Sequence, residues 1–171
     1  MNFEYIKNID KTMKYFLKYG GFLTCKDGDN LNVMTINWGT IGNQWGKPVF
    51  TMMVRKSRSS HNIIENSKEF TVSIPTKVEY RRLLGLCGSA SYKDVNKIEK
   101  FNIKLKESSV IETPSIDGCT IFYECKVIYK YDVKPEDLND DIEDITYMEG
   151  DYHTIYVGEI VNYYVEGKNN D

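Results

Sequence analysis

The sequence predicts an antiparallel β-barrel carrying short helical insertions, and three observations point there. Asp27-Gly28-Asp29 separates two β-prone runs, a strong hairpin signal. Residues 119–133 place Cys119, Ile121, Tyr123, Cys125, Val127, Tyr129, Tyr131 and Val133 on one parity against mostly polar partners, in a strand so long that it must bend or belong to a barrel. The strand-like runs are broken by short helical pieces without regular strand-helix-strand alternation, which argues against a doubly wound parallel sheet.

In chain order, residues 10–18 set Met13, Phe16 and Leu17 at helical spacing, with Asp10 placed as the cap and Gly20-Gly21 as the stop. Residues 22–26 and 30–39 are the arms of the hairpin and should pair antiparallel. Residues 48–54 are almost continuously apolar, and their length with Pro48 at the start favours a central strand covered on both faces over a buried helix segment. A run of hydroxyl residues before His61-Asn-Ile-Ile-Glu makes 59–67 a helix. Phe70, Val72 and Ile74 alternate with Thr71 and Ser73, so 69–74 is a strand that Pro75 ends. Residues 76–84 have helical composition, 85–92 read as a small-residue loop, and 94–100 as another short helix. Residues 154–166 are the last strand, with Gly158 marking a bulge or a close approach. The expectation is one domain over 1–166 and a frayed tail at 167–171.

Length and composition narrow the function. A chain of 171 residues buries roughly 70% of its unfolded surface, enough for a real core. The net charge of −3 gives no general attraction for nucleic acid. No apolar run approaches the roughly 20 residues needed to span a bilayer, and the first residues lack a signal pattern, so the protein is expected in the cytoplasm, away from membranes. Cys25, Cys87, Cys119 and Cys125 include no Cys-x-x-Cys pair and read as reduced thiols, with Cys119 and Cys125 as small core residues. The acidic run 136–144 fails the EF-hand pattern, since Ile142 stands at the turn glycine, and reads as a solvated loop. Gly39-x-x-Gly42-x-x-x-Gly46 is neither a dinucleotide fingerprint nor a phosphate loop. No metal site is expected.

Three polar clusters interrupt the apolar strands: 32–39, 55–61, and 87–94 with Lys97. Together they suit a phosphate-bearing planar ligand. Ser57, Arg58, Ser59 and Ser60 offer a guanidinium, hydroxyls and helix-terminal amides within one turn, although a plain serine cap beside a solvated arginine has the same sequence. In the first cluster Met34, Ile36 and Trp38 share one parity and Thr35 and Asn37 the other, so one face can pack while the other meets a ligand or solvent. Lys93, Asp94 and Lys97 add charge to the third cluster or form a solvated helix face. Of the two histidines, His61 reads as exposed, and His153, at the mouth of the last strand, stands open between a structural and a functional role.

The order and spacing of these phrases resemble the flavin reductase-like, FMN-binding split-barrel proteins, the group that includes flavoredoxin. The resemblance runs from Gly21 to about Val165, through Asn-Val-Met-Thr-Ile-Asn-Trp-Gly, Val-Arg-Lys-Ser-Arg, Glu-Phe-Thr-Val-Ser-Ile-Pro, Cys-Gly-Ser-Ala-Ser and His153-x-x-x-x-Gly158-Glu-Ile. It implies a homodimeric split barrel with noncovalent FMN near the subunit interface. It further implies that Met34, Thr35, Ile36, Asn37 and Trp38 border the flavin, that Ser57, Arg58, Ser59 and Ser60 hold its phosphate, and that Asn32 and Arg55 also belong to the cofactor-binding set. Cys87, Gly88, Ser89, Ser91 and Lys97 would flank the cofactor, with His153 near the flavin or a nicotinamide entrance and no obligatory catalytic side chain. The chain departs from relatives where Ser91-Tyr92-Lys93-Asp94-Val95-Asn96-Lys97 replaces Ser-Gly-Arg-Asp-x-Asp-Lys and where Ser60 replaces a frequent Thr. The expected function is an FMN-dependent oxidoreductase taking hydride from NADH or NADPH. The alternative is an FMN electron carrier reduced by a redox protein partner, without a nicotinamide site.

Overall fold

The computed structural model describes residues 4–92 and 95–167, so the expectations for Lys93, Asp94 and residues 168–171 fall outside the described residues. The described residues form nine strands: β1 (Gly21–Asp27), β2 (Asn30–Ile36), β3 (Gly39–Gln44), β4 (Lys47–Arg55), β5 (Glu69–Ile74), β6 (Leu105–Lys106), β7 (Ser115–Ile116), β8 (Ile121–Asp132) and β9 (His153–Val165). Seven make one antiparallel sheet in the order β2-β1-β5-β8-β9-β4-β3, while β6 and β7 pair separately. The two edge strands, β2 and β3, are consecutive in the chain and joined only by Asn37 and Trp38. All seven strands send side chains into one apolar cluster, including Leu23, Ile36, Phe50, Phe70, Tyr123 and Tyr156, with Ile41 packed against it. A flat sheet cannot converge that way; the sheet curls into a barrel split between β2 and β3.

Five α-helices accompany it: α1 (Ile9–Tyr19), α2 (Ser59–Ser67), α3 (Tyr80–Ser89), α4 (Lys97–Lys100) and α5 (Asp140–Thr146). Helix α1 stops at Gly20, which adopts φ 89 and returns its N–H to the Phe16 carbonyl. Phe16, fully buried, meets Phe50 edge-on at 5.7 Å inside the barrel. Helix α3 covers the outside of β1 and β2 through a second cluster that joins Leu84 and Cys87 to Phe22, Val33 and Phe122.

The hairpin of β1 and β2, α2 and β5 form as the sequence predicts. Other expectations need correction. The run 30–39 breaks after Ile36, and the glycine-bearing, polar Gly39–Gln44 becomes β3, because its ladder to β4 supplies what its weak propensity lacks. Residues 85–89 are helix rather than loop, while 76–79 lie ahead of it, because burying Leu84 and Cys87 outweighs the roughly 1 kcal/mol that each helical glycine costs. Residues 140–146 form α5 rather than a loop, started by the Asn139 side chain accepting from the Asp141 amide and by acidic residues in the first turn. His61 is half-buried rather than exposed, its Nε2 3.0 Å from Thr154 Oγ1.

The opening helix begins at Ile9, with Asn8 in the cap position instead of Asp10. The long strand β8 bends at register shifts after Glu124 and Val127, as its length requires, and there its parity fails: Tyr129 and Tyr131 end exposed while Phe122 and Glu124 are buried. Gly158 is a close approach, since a Cβ there would lie 2.4 Å from Phe70 Cζ.

Beneath α2, Glu65 accepts from Tyr156 Oη at 2.8 Å and from Lys130 Nζ. Burial pushes the Glu65 carboxyl up, but these bonds outweigh it and hold the group down at about 2, against an ordinary 4.5. A carboxylate depressed in the folded state lends stability above the unfolded pKa and loses it as pH falls toward the folded one. Unfolding free energy should therefore drop by at most about 3 kcal/mol between pH 4.5 and 2 on this account, and Glu65→Gln should flatten that part of the profile in urea melts. An unchanged slope in the variant would exclude Glu65 as the source.

Candidate functional site

The mouth of the split collects the polar clusters. Strand β2 ends there, β4 delivers Arg55 opposite His153 of β9, and a turn closed by the Arg58 amide on the Arg55 carbonyl (3.0 Å) leads into α2. Two adjoining hollows result. One, of about 180 Å³, is walled by Met34, Thr35, Ile36, Asn37, Trp38, Met53, Arg55, Arg58 and His153. The other, of about 120 Å³, is walled by Asn32, Met34, Ser57, Arg58, Ser59, Ala90, Ser91, Tyr92 and Lys97. Met34 and Arg58 line both, so they are two ends of one cleft: the first bounded by strand backbone, sulfur and indole, the second by cations and hydroxyls.

Electrostatics at the second end select an anion. Lys97 is only 4% exposed, and its Nζ donates to the carbonyls of Val33 (2.9 Å) and Cys87 (3.0 Å). Burial lowers its pKa, nearby Cys87 opposes that, and the neighbouring Arg58 adds to it. Among the described residues no carboxylate pairs with Lys97 or Arg58. An ammonium taken out of water costs several kcal/mol unless an opposite charge offsets it. Two carbonyls offset part, and the third N–H has no described partner. The nine-residue helix α2 adds its positive end here, with no side chain capping its first amides.

Several expected residues stand on the cleft but have their polar groups committed elsewhere. Arg55 donates to the carbonyls of Asp151 (2.9 Å) and Thr146 (3.0 Å), clamping the loop before β9. Ser57 gives its amide and hydroxyl to the Asp151 carboxylate at 3.1 and 2.6 Å. Thr35 Oγ1 donates to the Leu84 carbonyl at 2.6 Å, tying β2 to α3.

Ser60, Cys87, Gly88 and Ser89 lie off both hollows. Ser60 is fully buried and accepts from Asn32 Nδ2 (2.8 Å); Ser89 returns its hydroxyl to the Gly85 carbonyl (3.0 Å). Cys87 is buried, its thiol pushed up to about 11, and it serves the site only by the carbonyl that holds Lys97. Asn32, Met34, Ile36, Asn37, Trp38, Arg58, Ser59, Ser91, Lys97 and His153 do converge. Met53, Tyr147 and Asp151 are additions the sequence reading missed. Met53 was hidden in a strand read as covered on both faces, although its parity with Arg55 signals the cleft side.

His153 is 6% exposed, packs against the Trp38 ring at 5.3 Å, and has Nδ1 2.7 Å from Tyr147 Oη. Burial first, then the positive charges of Arg55 and Arg58, hold its pKa down at about 4 against the pull of Asp151, so the ring is neutral at physiological pH. Among the described residues no group of three or more His, Cys, Asp or Glu is arranged to hold a metal ion, and no helix is long and apolar enough to cross a membrane.

The cleft fits a planar group ending in phosphate. Its anion end holds a buried cation with no carboxylate partner among the described residues, an exposed arginine and a helix terminus whose N-cap residue makes no side-chain cap. One amide end of the buried Asn32 also lacks a partner among the described residues. The Ser60 hydroxyl can donate or accept, so the bond survives when the amide turns over and presents N–H to an anion.

Comparison with known proteins identifies the family and the fold. The family model described as Flavin reductase like domain matches residues 17–171. A protein from Archaeoglobus fulgidus is 27% identical over 150 residues, 88% of this chain and 74% of its own length. Flavoredoxin from Methanosarcina acetivorans superposes with a TM-score of 0.68 at 22% identity, over 86% of this chain and 68% of that one. An FMN-binding protein from Thermus thermophilus with bound 1-cyclohex-2-enone gives 0.66 at 18%, over 86% and 70%. Nitrilotriacetate monooxygenase component B from Bacillus cereus gives 0.67 at 16%, over 96% and 80%. At such identities the structural matches speak to the fold.

Proposed function

Because the chain belongs to the flavin reductase like family, we propose that it is an oxidoreductase that binds FMN noncovalently in this cleft and passes reducing equivalents from NADH or NADPH through it to an acceptor. The observation that carries the reading is Lys97: a buried cation with no carboxylate partner among the described residues, at the polar end of a cleft whose other end is bounded by strand backbone, Met34, Met53 and Trp38.

Bound FMN would supply the hydride and electron chemistry, which leaves placement and tuning to the protein. Arg58 would provide an exposed guanidinium and Lys97 a buried ammonium for the phosphate, with Ser59 and the first amides of α2 beside them. Residues 34–38, the end of β2 and the link to β3, would border the ring system, where their backbone could bond the polar edge while Met34 and Met53 exclude water. Trp38, 45% exposed, covers the outer side against His153. Arg55 and Asp151 keep the 146–151 loop pinned to the rim.

Anaerobic addition of NADH and NADPH to the FMN-loaded protein tests the donor. Loss of the yellow colour with either is expected. If dithionite or a reduced redox protein bleaches the flavin while both nicotinamides fail, the chain is an electron carrier instead.

The proposal includes a homodimer. Trp45, Tyr129 and Tyr131 are 68%, 50% and 46% exposed and adjoin one another at 5.7 and 5.8 Å, an aromatic patch that a second copy would cover. Light scattering should return two chains per particle; a monomer with FMN fully bound contradicts this part.

A further inference from the structure

The contact between Tyr147 and His153 has a chemical direction. By geometry either atom of the 2.7 Å pair can donate. If Nδ1 carried the proton, the phenol oxygen would accept and its own proton would need another acceptor; Tyr147 is 4% exposed and no other described group accepts from it. If the phenol donates, both groups are satisfied and the single proton of the neutral ring sits on Nε2. Burial raises the Tyr147 pKa, against the pull of Arg55, so the phenol keeps its proton. The groups facing His153 are Arg55 from β4, Arg58 from the turn before α2, Asp151 from the loop before β9 and Tyr147 from the end of α5. The two cations disfavour the imidazolium form and Asp151 favours it, with the ring remaining neutral on balance.

Tyr147 is itself held. The Arg55 guanidinium lies 5.3 Å over one ring, Tyr152 stacks on it at 4.7 Å, and Tyr152 in turn donates to Glu143 at 2.9 Å. Tyr147 occupies Nδ1 and Nε2 has no partner among the described residues, so Nε2 is the ring nitrogen that His153, as part of the cleft wall, has left for the site.

We infer that Tyr147 is a positioning residue: it fixes His153 as the neutral Nε2–H tautomer, so that the cleft wall presents one oriented N–H donor to a carbonyl or carboxamide oxygen of the electron donor or acceptor. The ligand half of this inference rests on the function proposed above; the tautomer half stands on the contact alone.

Nitrogen NMR of the uniformly ¹⁵N-labelled full chain, with and without FMN, decides the tautomer, and the chain has only two histidines to assign. His153 should show Nε2 protonated and Nδ1 bare at pH 7. Tyr147→Phe, which keeps the aromatic stack, should turn His153 into a mixture of tautomers. It should also raise KM for whichever of NADH or NADPH reduces the bound flavin by about three- to tenfold with kcat within about twofold, the worth of one neutral hydrogen bond. A wild-type ring protonated at Nδ1, or charged at pH 7, overturns the assignment. An unchanged KM beside a changed tautomer overturns the ligand half. The expected tautomer in a chain that binds no FMN supports the positioning role while contradicting the proposed function.

Discussion

Arg58→Glu is expected to weaken FMN binding by more than about a hundredfold while leaving riboflavin within about twofold. The Arg58 side chain is exposed, lines both ends of the cleft and has no carboxylate partner among the described residues, so its replacement removes nothing the fold uses. Loss of a hydrogen bond to a charged group costs about 1.5 to 3 kcal/mol. A carboxylate about 4 Å from a phosphate adds repulsion of about 1 to 4 kcal/mol in a partly solvated site. Alanine, lacking the second effect, should weaken FMN about ten- to a hundredfold. Riboflavin carries no phosphate and reports the rest of the cleft alone. Equal losses for the two ligands would place Arg58 away from the phosphate and undo the anion assignment.

Gly158→Ala should produce the largest loss of stability. Gly158 sits in β9 between β8 and β4, and an added Cβ would stand 2.4 and 2.5 Å from two atoms of the Phe70 ring and 3.0 Å from Cys125 Cβ. Both neighbours are fully buried. Overpacking of this kind costs about 1 to 3 kcal/mol or more, and valine should cost more than alanine. For a domain of this size about 3 kcal/mol corresponds to a fall in Tm of roughly 6 to 12 °C. Trimming the ring with Phe70→Leu in the same chain should recover part of the loss. A Gly158→Ala protein as stable as wild type would show that the strand is not in contact with Phe70.

Much of the fold was legible because local signals and tertiary packing agree there. Asp27-Gly28-Asp29 encodes its own turn, and the alternation of Phe70, Val72 and Ile74 with Thr71 and Ser73 its own strand. Strand β3 was not legible, because Gly39–Gln44 has almost no apolar pattern and is a strand through its partner: the turn at Trp45 and Gly46, with φ of 51 and 73, folds it onto β4. The helix through Gly85 and Gly88 was hidden for a similar reason, since what makes it helical is burial of Leu84 and Cys87 against β1 and β2. In the site, Arg58 and Ser59 stood out by residue type, although a plain serine cap reads the same, and Lys97 was singled out by the family resemblance rather than by its spacing. That Lys97 is buried and held by two carbonyls, that Ser57 is bound to Asp151, and that Tyr147 reaches His153 depend on contacts 64, 94 and 6 residues apart that no local pattern records.

The most direct measurement is titration of the purified chain with FMN and, in parallel, with riboflavin, followed by flavin absorbance and fluorescence. Saturation at one FMN per chain is expected, with riboflavin bound at least about tenfold more weakly, because the cations at the polar end of the cleft have nothing to hold in riboflavin. No FMN binding, or equal affinity for the two flavins, would contradict the assignment of Lys97 and Arg58 as a phosphate site and with it the proposed function.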